Sequence, residues 1–145
     1  MDVRLHPLFQ DWLEDLADPS GPDELFDVYI EVMALISALE EFGRDLGDPE
    51  CHPVVTASYD LHALRRSPPT STTPYAQGPP VLRILFGYVR SEDRQEVAVV
   101  ALGGDKIWLG NAWYPANVTQ AQDRIDQWCQ IHPGFKPLMR RGGLR

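Results

Sequence analysis

Apolar positions recur every three or four residues near the start of the chain and every second residue in its middle, and this change of period predicts the order of elements. Leu5, Leu8, Phe9, Trp12, Leu13 and Leu16 form the stripe of an amphipathic helix, entered through a short strand or turn. Asp18-Pro19-Ser20-Gly21-Pro22 breaks it. Asp23 offers side-chain oxygens to the orphan amides of a second helix, whose stripe runs through Leu25, Tyr29, Val32, Ile36 and Leu39. Gly43, Gly47 and Pro49 end that helix.

The period then shortens to two. Residues 59–66 alternate loosely, as an edge strand does, and residues 67–80 hold five prolines and no stripe to bury, which predicts a flexible loop inside one domain. In residues 81–89, Leu82, Ile84, Phe86 and Tyr88 fall on one side and Arg83, Leu85, Gly87 and Val89 on the other. Residues 91–94 make a turn, and the apolar run 97–102 completes a hairpin as a central strand. Residues 107–113 supply a further short strand, and Thr119-x-x-Gln122 opens a helix that packs through Ala121, Ile125 and Trp128. His132-Pro133-Gly134 stops it. The reading is α+β: an N-terminal helix pair and a C-terminal helix on one side of a three- to four-stranded, mainly antiparallel sheet. Residues 1–132 form one domain and 133–145 a mobile basic tail.

Composition refines this picture. A chain of 145 residues buries enough surface to fold without staples. Two distant cysteines, no charged-then-apolar leader and no apolar run near the roughly 20 residues that span a bilayer predict a protein of the reducing cytoplasm, away from membranes. The net charge of -8 speaks against a polyanionic partner until the chain is divided. Residues 1–60 carry 15 acidic and 2 basic side chains, and residues 61–145 carry 6 acidic and 11 basic. An acidic face and a basic face on one molecule are the expectation.

Several short motifs follow one another in the basic half: Leu61-His-Ala-Leu-Arg65, the strand Val81-Leu-Arg-Ile-Leu-Phe-Gly-Tyr88, the turn Gly103-Gly-Asp-Lys106, and Trp113-Tyr114 leading into a helix. In this order, and after a Trp-Leu helix and a Gly-ended second helix, they resemble the RelE/ParE toxin superfamily, nearest to its phage-derived HigB-like branch. The resemblance covers roughly residues 5–132. It implies the toxin of a type II toxin–antitoxin pair, with a cognate antitoxin of helix-turn-helix type. It also implies a basic groove that cleaves mRNA, on the ribosome or off it, through attack of a ribose 2′-hydroxyl on the adjacent phosphate. No metal or other cofactor is needed for that chemistry, which asks for a base, an acid and cations around the phosphorus.

Carried onto this chain, the resemblance implies Lys106, Arg65 and Arg83 at the phosphate, with Tyr114 and His62 as conceivable acid or base. Arg66, Arg90, Trp113, Lys136, Arg140 and Arg141 are the expected RNA contacts. Cys51-His52 with Cys129-x-x-His132 totals four zinc-ligand types, but adjacent Cys-His is poor spacing for one tetrahedral site. Gly103-Gly-Asp-Lys106 lacks the context of a nucleotide-binding phosphate loop. Two rival readings are a ParE-like inhibitor that binds DNA gyrase without catalysis, and a degenerate toxin fold that only binds its antitoxin.

Overall fold

The computed structural model describes residues 1–48, 50–65, 82–105 and 113–140. In chain order these form β1 (Asp2–Leu5), α1 (Pro7–Leu16), α2 (Asp23–Phe42), a 3-10 turn (Gly43–Asp45), β2 (Cys51–Pro53) and β3 (Leu61–Arg65). Then come β4 (Leu82–Ser91), β5 (Glu96–Asp105), α3 (Trp113–Ile131) and β6 (Phe135–Pro137).

The predicted α+β class and the helix pair at the start are present, but the sheet is larger than the three or four strands expected. Six strands run β1-β5-β4-β3-β2, with β6 also on β4. β1 lies parallel to β5, and the other pairs are antiparallel. The strand or turn expected before α1 is a strand, β1, whereas β2 and β6 are too short to show alternation in the sequence. The expected edge strand is not at an edge either, since β3 is flanked by β2 and β4 and the three-residue β2 lies outside it.

A second correction concerns the layers. The helices do not share one side. Leu64, Ile84, Phe86, Tyr88, Ala98 and Val100 pack against α1 and α2, whereas Leu61, Leu85, Val89, Val97 and Val99 pack against Val118, Ala121, Ile125 and Trp128 of α3. The physical reason was present in β4 and β5, whose unbroken apolar runs are those of strands covered on both faces. A bulge places Leu102 opposite Leu85 and Val100 opposite Phe86. Leu102 is thereby moved onto the α3 face, where Ala101 already lies by alternation with Val97 and Val99.

Local chemistry accounts for the ends of the helices. His6 caps α1, its Nδ1 accepting from the Leu8 amide at 3.0 Å, with Pro7 preset for the first turn. α2 begins after Pro22 without a side-chain cap, so Asp23 serves in its first turn rather than as the cap expected. Gly43, at φ 54°, turns the chain out of α2 as predicted. α3 starts at Trp113, six residues before the capping box proposed for it. Thr119 there lies inside the helix, its hydroxyl donating to the Pro115 carbonyl at 3.3 Å. Pro115 is tolerated because the amide it lacks belongs to the first turn.

The tail is ordered further than expected. Phe135, Lys136 and Pro137 pair with Ser91, Arg90 and Val89, Tyr59 bridges to Met139, and the Arg140 guanidinium donates to the Ala57 carbonyl at 2.9 Å. The loop 67–80, residues 107–112 of the strand expected at 107–113 and residues 141–145 lie outside the described residues, and Trp113 opens α3 rather than ending a strand.

Candidate nucleic-acid site

β3 and β4 end side by side, and their register sets Arg65 directly opposite Arg83. Side chains alternate along a strand, so both belong to the face shared with Leu85 and Val89, the face that α3 covers. Two like charges directly opposite each other on a sheet are mutually unfavourable. Asp48 offsets one of them, accepting from Arg65 Nη2 at 3.0 Å.

Arg83 is in a different position. It is only 8% exposed, and among the described residues its guanidinium meets no carboxylate. Nε donates to the Tyr114 hydroxyl at 3.2 Å and Nη1 to the Leu82 carbonyl at 2.9 Å. A guanidinium withdrawn from water with only neutral acceptors is costly unless an anion joins it. Gly104 opposite Arg83 on β5 contributes no side chain to this face.

Tyr114 links the guanidinium to open space. It lies in the first turn of α3 and lines a groove of about 520 Å³ between that turn and the β2–β3 edge. His52, Thr56, Ser58, Thr119 and Gln122 bring polar groups to the wall, while Pro53, Val54, Val55 and Val118 make much of it apolar. The register of β2 places His52 opposite Ala63, hence on the Arg65–Arg83 face of the sheet. Gln122 is held by accepting from the Ser58 amide at 2.9 Å, which ties the groove's floor to α3.

Of the residues expected at a catalytic centre, Arg65, Arg83 and Tyr114 come together. Lys106 lies outside the described residues, directly after Asp105 at the end of β5. His62 is placed elsewhere: it stacks on Phe86, 5.5 Å between ring centroids, on the α1–α2 side of the sheet. There its Nε2 meets Asp60 Oδ1 at 2.9 Å. Burial alone raises the pKa of Asp60, but hydrogen bonds from His62 and Arg44 outweigh it and hold the carboxyl below its ordinary value. Arg44 also reaches Glu96 at 2.8 Å and lies 3.8 Å over the Tyr88 ring. This is an ion-pair network on the far face, away from the groove.

The expected RNA contacts divide similarly. Arg90 pairs with Glu96 at 2.8 Å and stands opposite Lys136, seven residues along β4 from Arg83, or about 23 Å of strand. Arg140 is anchored at Ala57, beside the groove residue Ser58. Arg66, Arg141 and the side chain of Trp113 lie outside the described residues. His52, which the sequence reading weighed only as a metal ligand, also lines the groove. Its neighbour Cys51 suggested metal chemistry, whereas strand alternation puts Cys51 in the α1–α2 core and Cys129, on α3, packs with the core on the other side of the sheet. Among the described residues no three His, Cys, Asp or Glu side chains gather as metal ligands, and no helix is long and apolar enough to cross a membrane.

An α+β domain with an arginine pair at a sheet end fits the class that the motifs resemble, the HigB-like toxins of toxin–antitoxin pairs. Comparison with curated proteins supports that likeness: the chain is 29% identical over 108 residues to a protein of Mycobacterium tuberculosis (strain ATCC 25618 / H37Rv) described as "Putative toxin HigB3". The match spans 74% of this chain and 82% of that protein. No family model and no solved structure matches.

Proposed function

We propose that the protein is the toxin of a type II toxin–antitoxin pair and cleaves mRNA in the groove beside Tyr114. The observation that carries this reading is the arginine pair at the ends of β3 and β4, with Arg83 buried and lacking a carboxylate among the described residues. Such a pair suits a phosphodiester, which brings the missing negative charge and accepts from a guanidinium in a forked geometry.

In the proposed reaction the ribose 2′-oxygen bonds to phosphorus as the bond to the 5′-oxygen breaks, leaving a 2′,3′-cyclic phosphate and a free 5′-hydroxyl. Arg83 and Arg65 stabilise the charge that grows on the non-bridging oxygens. Lys106, the next residue in sequence after β5, is the third cation of the proposal. One proton leaves the 2′-hydroxyl and one reaches the 5′-oxygen. His52, in the same groove, serves as the proton acceptor, and the Tyr114 hydroxyl, whose oxygen already accepts from Arg83, directs its own proton to the leaving oxygen. The apolar wall receives a base through stacking and burial. The cognate antitoxin holds the toxin in check.

Expression in a bacterium without the antitoxin tests the proposal. Growth arrest with new mRNA ends is expected, and Arg83→Met should abolish both while remaining folded. Arrest with intact transcripts and trapped gyrase–DNA complexes would replace the ribonuclease reading with the gyrase one. Normal growth would leave a fold that only binds its partner.

A further inference from the structure

The acidic half of the chain carries a surface that the groove does not use. No side chain of α2 is buried before Val32, yet that stretch presents Leu25, Phe26 and Ile30, the last two 46% and 53% exposed. Phe26, Ile30 and Met33 recur at helical spacing, so they form one outward stripe. Beside it two hollows follow the seam between α1 and α2. One, of about 410 Å³, is lined by Val3 and Leu5 of β1, Leu13 of α1 and Tyr29, Met33 and Ile36 of α2. The other, of about 520 Å³, lies at the α1–α2 turn under Phe26. Ala17 lines both, so they form one trench.

The rim of that trench has one sign. Glu14 and Glu40 border the first hollow, and Asp18, Asp23 and Asp27 border the second. Residues 1–43 hold a single Lys or Arg, Arg4, and its guanidinium is tied to Asp2 at 2.9 Å. An exposed apolar stripe beside a hollow and ringed by carboxylates suits a protein interface better than a solvated helix. The rim also selects the occupant. A second copy in a two-fold dimer would meet this face with the same negative charge, and nucleic acid or an anionic membrane would be repelled in the same way. A helix whose apolar side is flanked by Lys and Arg is attracted and fills the trench.

We propose that the α1–α2 trench is the docking surface for a partner protein that presents a basic amphipathic helix. The sheet separates the trench from the arginine groove, so a partner seated here leaves the groove open, and the inference stands whether or not the groove cleaves RNA.

The probe is a labelled 18-residue peptide of Leu and Lys with its leucines at helical spacing, set against a peptide of the same composition with that spacing scrambled. Fluorescence anisotropy with the full chain at near-physiological salt should give at least tenfold tighter binding to the striped peptide. Ile30→Asp and Phe26→Ser should each weaken it tenfold or more with unchanged circular-dichroism melts, because both side chains are exposed. Val55→Asp, at an exposed apolar residue of the opposite groove, should leave binding unchanged. Equal binding of the two peptides, or no effect of either α2 substitution, would overturn the proposal. So would sedimentation that finds a dimer which Ile30→Asp dissolves, since the trench would then be filled by a second copy.

Discussion

Arg83 separates stability from function at a single residue. Its guanidinium is buried against a tyrosine hydroxyl and a carbonyl, so Arg83→Met should leave the unfolding free energy unchanged or raise it by about 1 kcal/mol, measured by urea melts. A loss of several kcal/mol would mean that the arginine braces the fold and is no anion site. Gly87 has the opposite character. A Cβ there would stand 2.5 Å from Ile125 Cδ1 and 2.8 Å from Leu61 Cδ2, and both side chains are buried, so Gly87→Ala should cost about 1–3 kcal/mol. His6 supplies a pH dependence. Burial lowers its pKa below 6.5, and as a neutral ring it accepts from Leu8 while its Nε2 meets Gln127 at 3.0 Å. The neutral form is the one the fold favours, so this contribution is complete above pH 6.5 and is lost as pH falls through the lowered value. Melts at pH 5 and pH 7 should differ more for the wild type than for His6→Ala. At this scale the motif order picked out Arg65, Arg83 and Tyr114, which the fold brings near one another. The sequence could not reveal that alternation sends His62 to one face and His52 to the other until the register of β3 was known.

Among the elements, the strongly periodic ones were legible and the short ones were not. α1, α2 and the β4–β5 hairpin each carry a stripe long enough to read, whereas β2 and β6 have three residues apiece and exist only through their neighbours. α3 illustrates a different failure. Thr119-x-x-Gln122 has the spacing of a capping box, but tertiary contacts extend the helix back to Trp113 and use Gln122 on the Ser58 amide instead. The segment after α3 was read as a free tail because its charges hide Phe135 and Leu138, which pack against the α3 core and the α1–α2 core respectively. Deleting residues 135–145 should therefore cost on the order of 2 kcal/mol, through the lost β4–β6 ladder and the Leu138 amide bond to the Tyr88 carbonyl at 2.9 Å. A truncated chain as stable as the full one would restore the idea of a passive tail.

At the scale of the whole molecule, charge is divided by the sheet as well as by position in the chain. The acidic helices lie on one face, and Arg65 and Arg83 lie at the end of the other. The split was visible in the sequence. What escaped it was the second helical layer over the basic face, since counting strands and helices does not say on which side each helix lands. The parallel β1–β5 pair adds a constraint in time. Asp2 meets Val97, and the Arg4 and Leu5 positions meet Val99 and Val100, so the strand made first completes its hydrogen bonds with one made some 95 residues later. At about 5–20 residues per second, translation leaves β1 waiting roughly 5–20 s for its partner. During that interval the apolar side of α1, with Phe9 and Leu13, has no sheet to cover it. Closing such a long loop is slow, and it comes after the arginine-bearing strands have formed their own hairpin. The nascent chain is thus exposed to aggregation and proteolysis from its first element, and a slow refolding phase abolished by removing β1 would be the kinetic trace of that order of assembly.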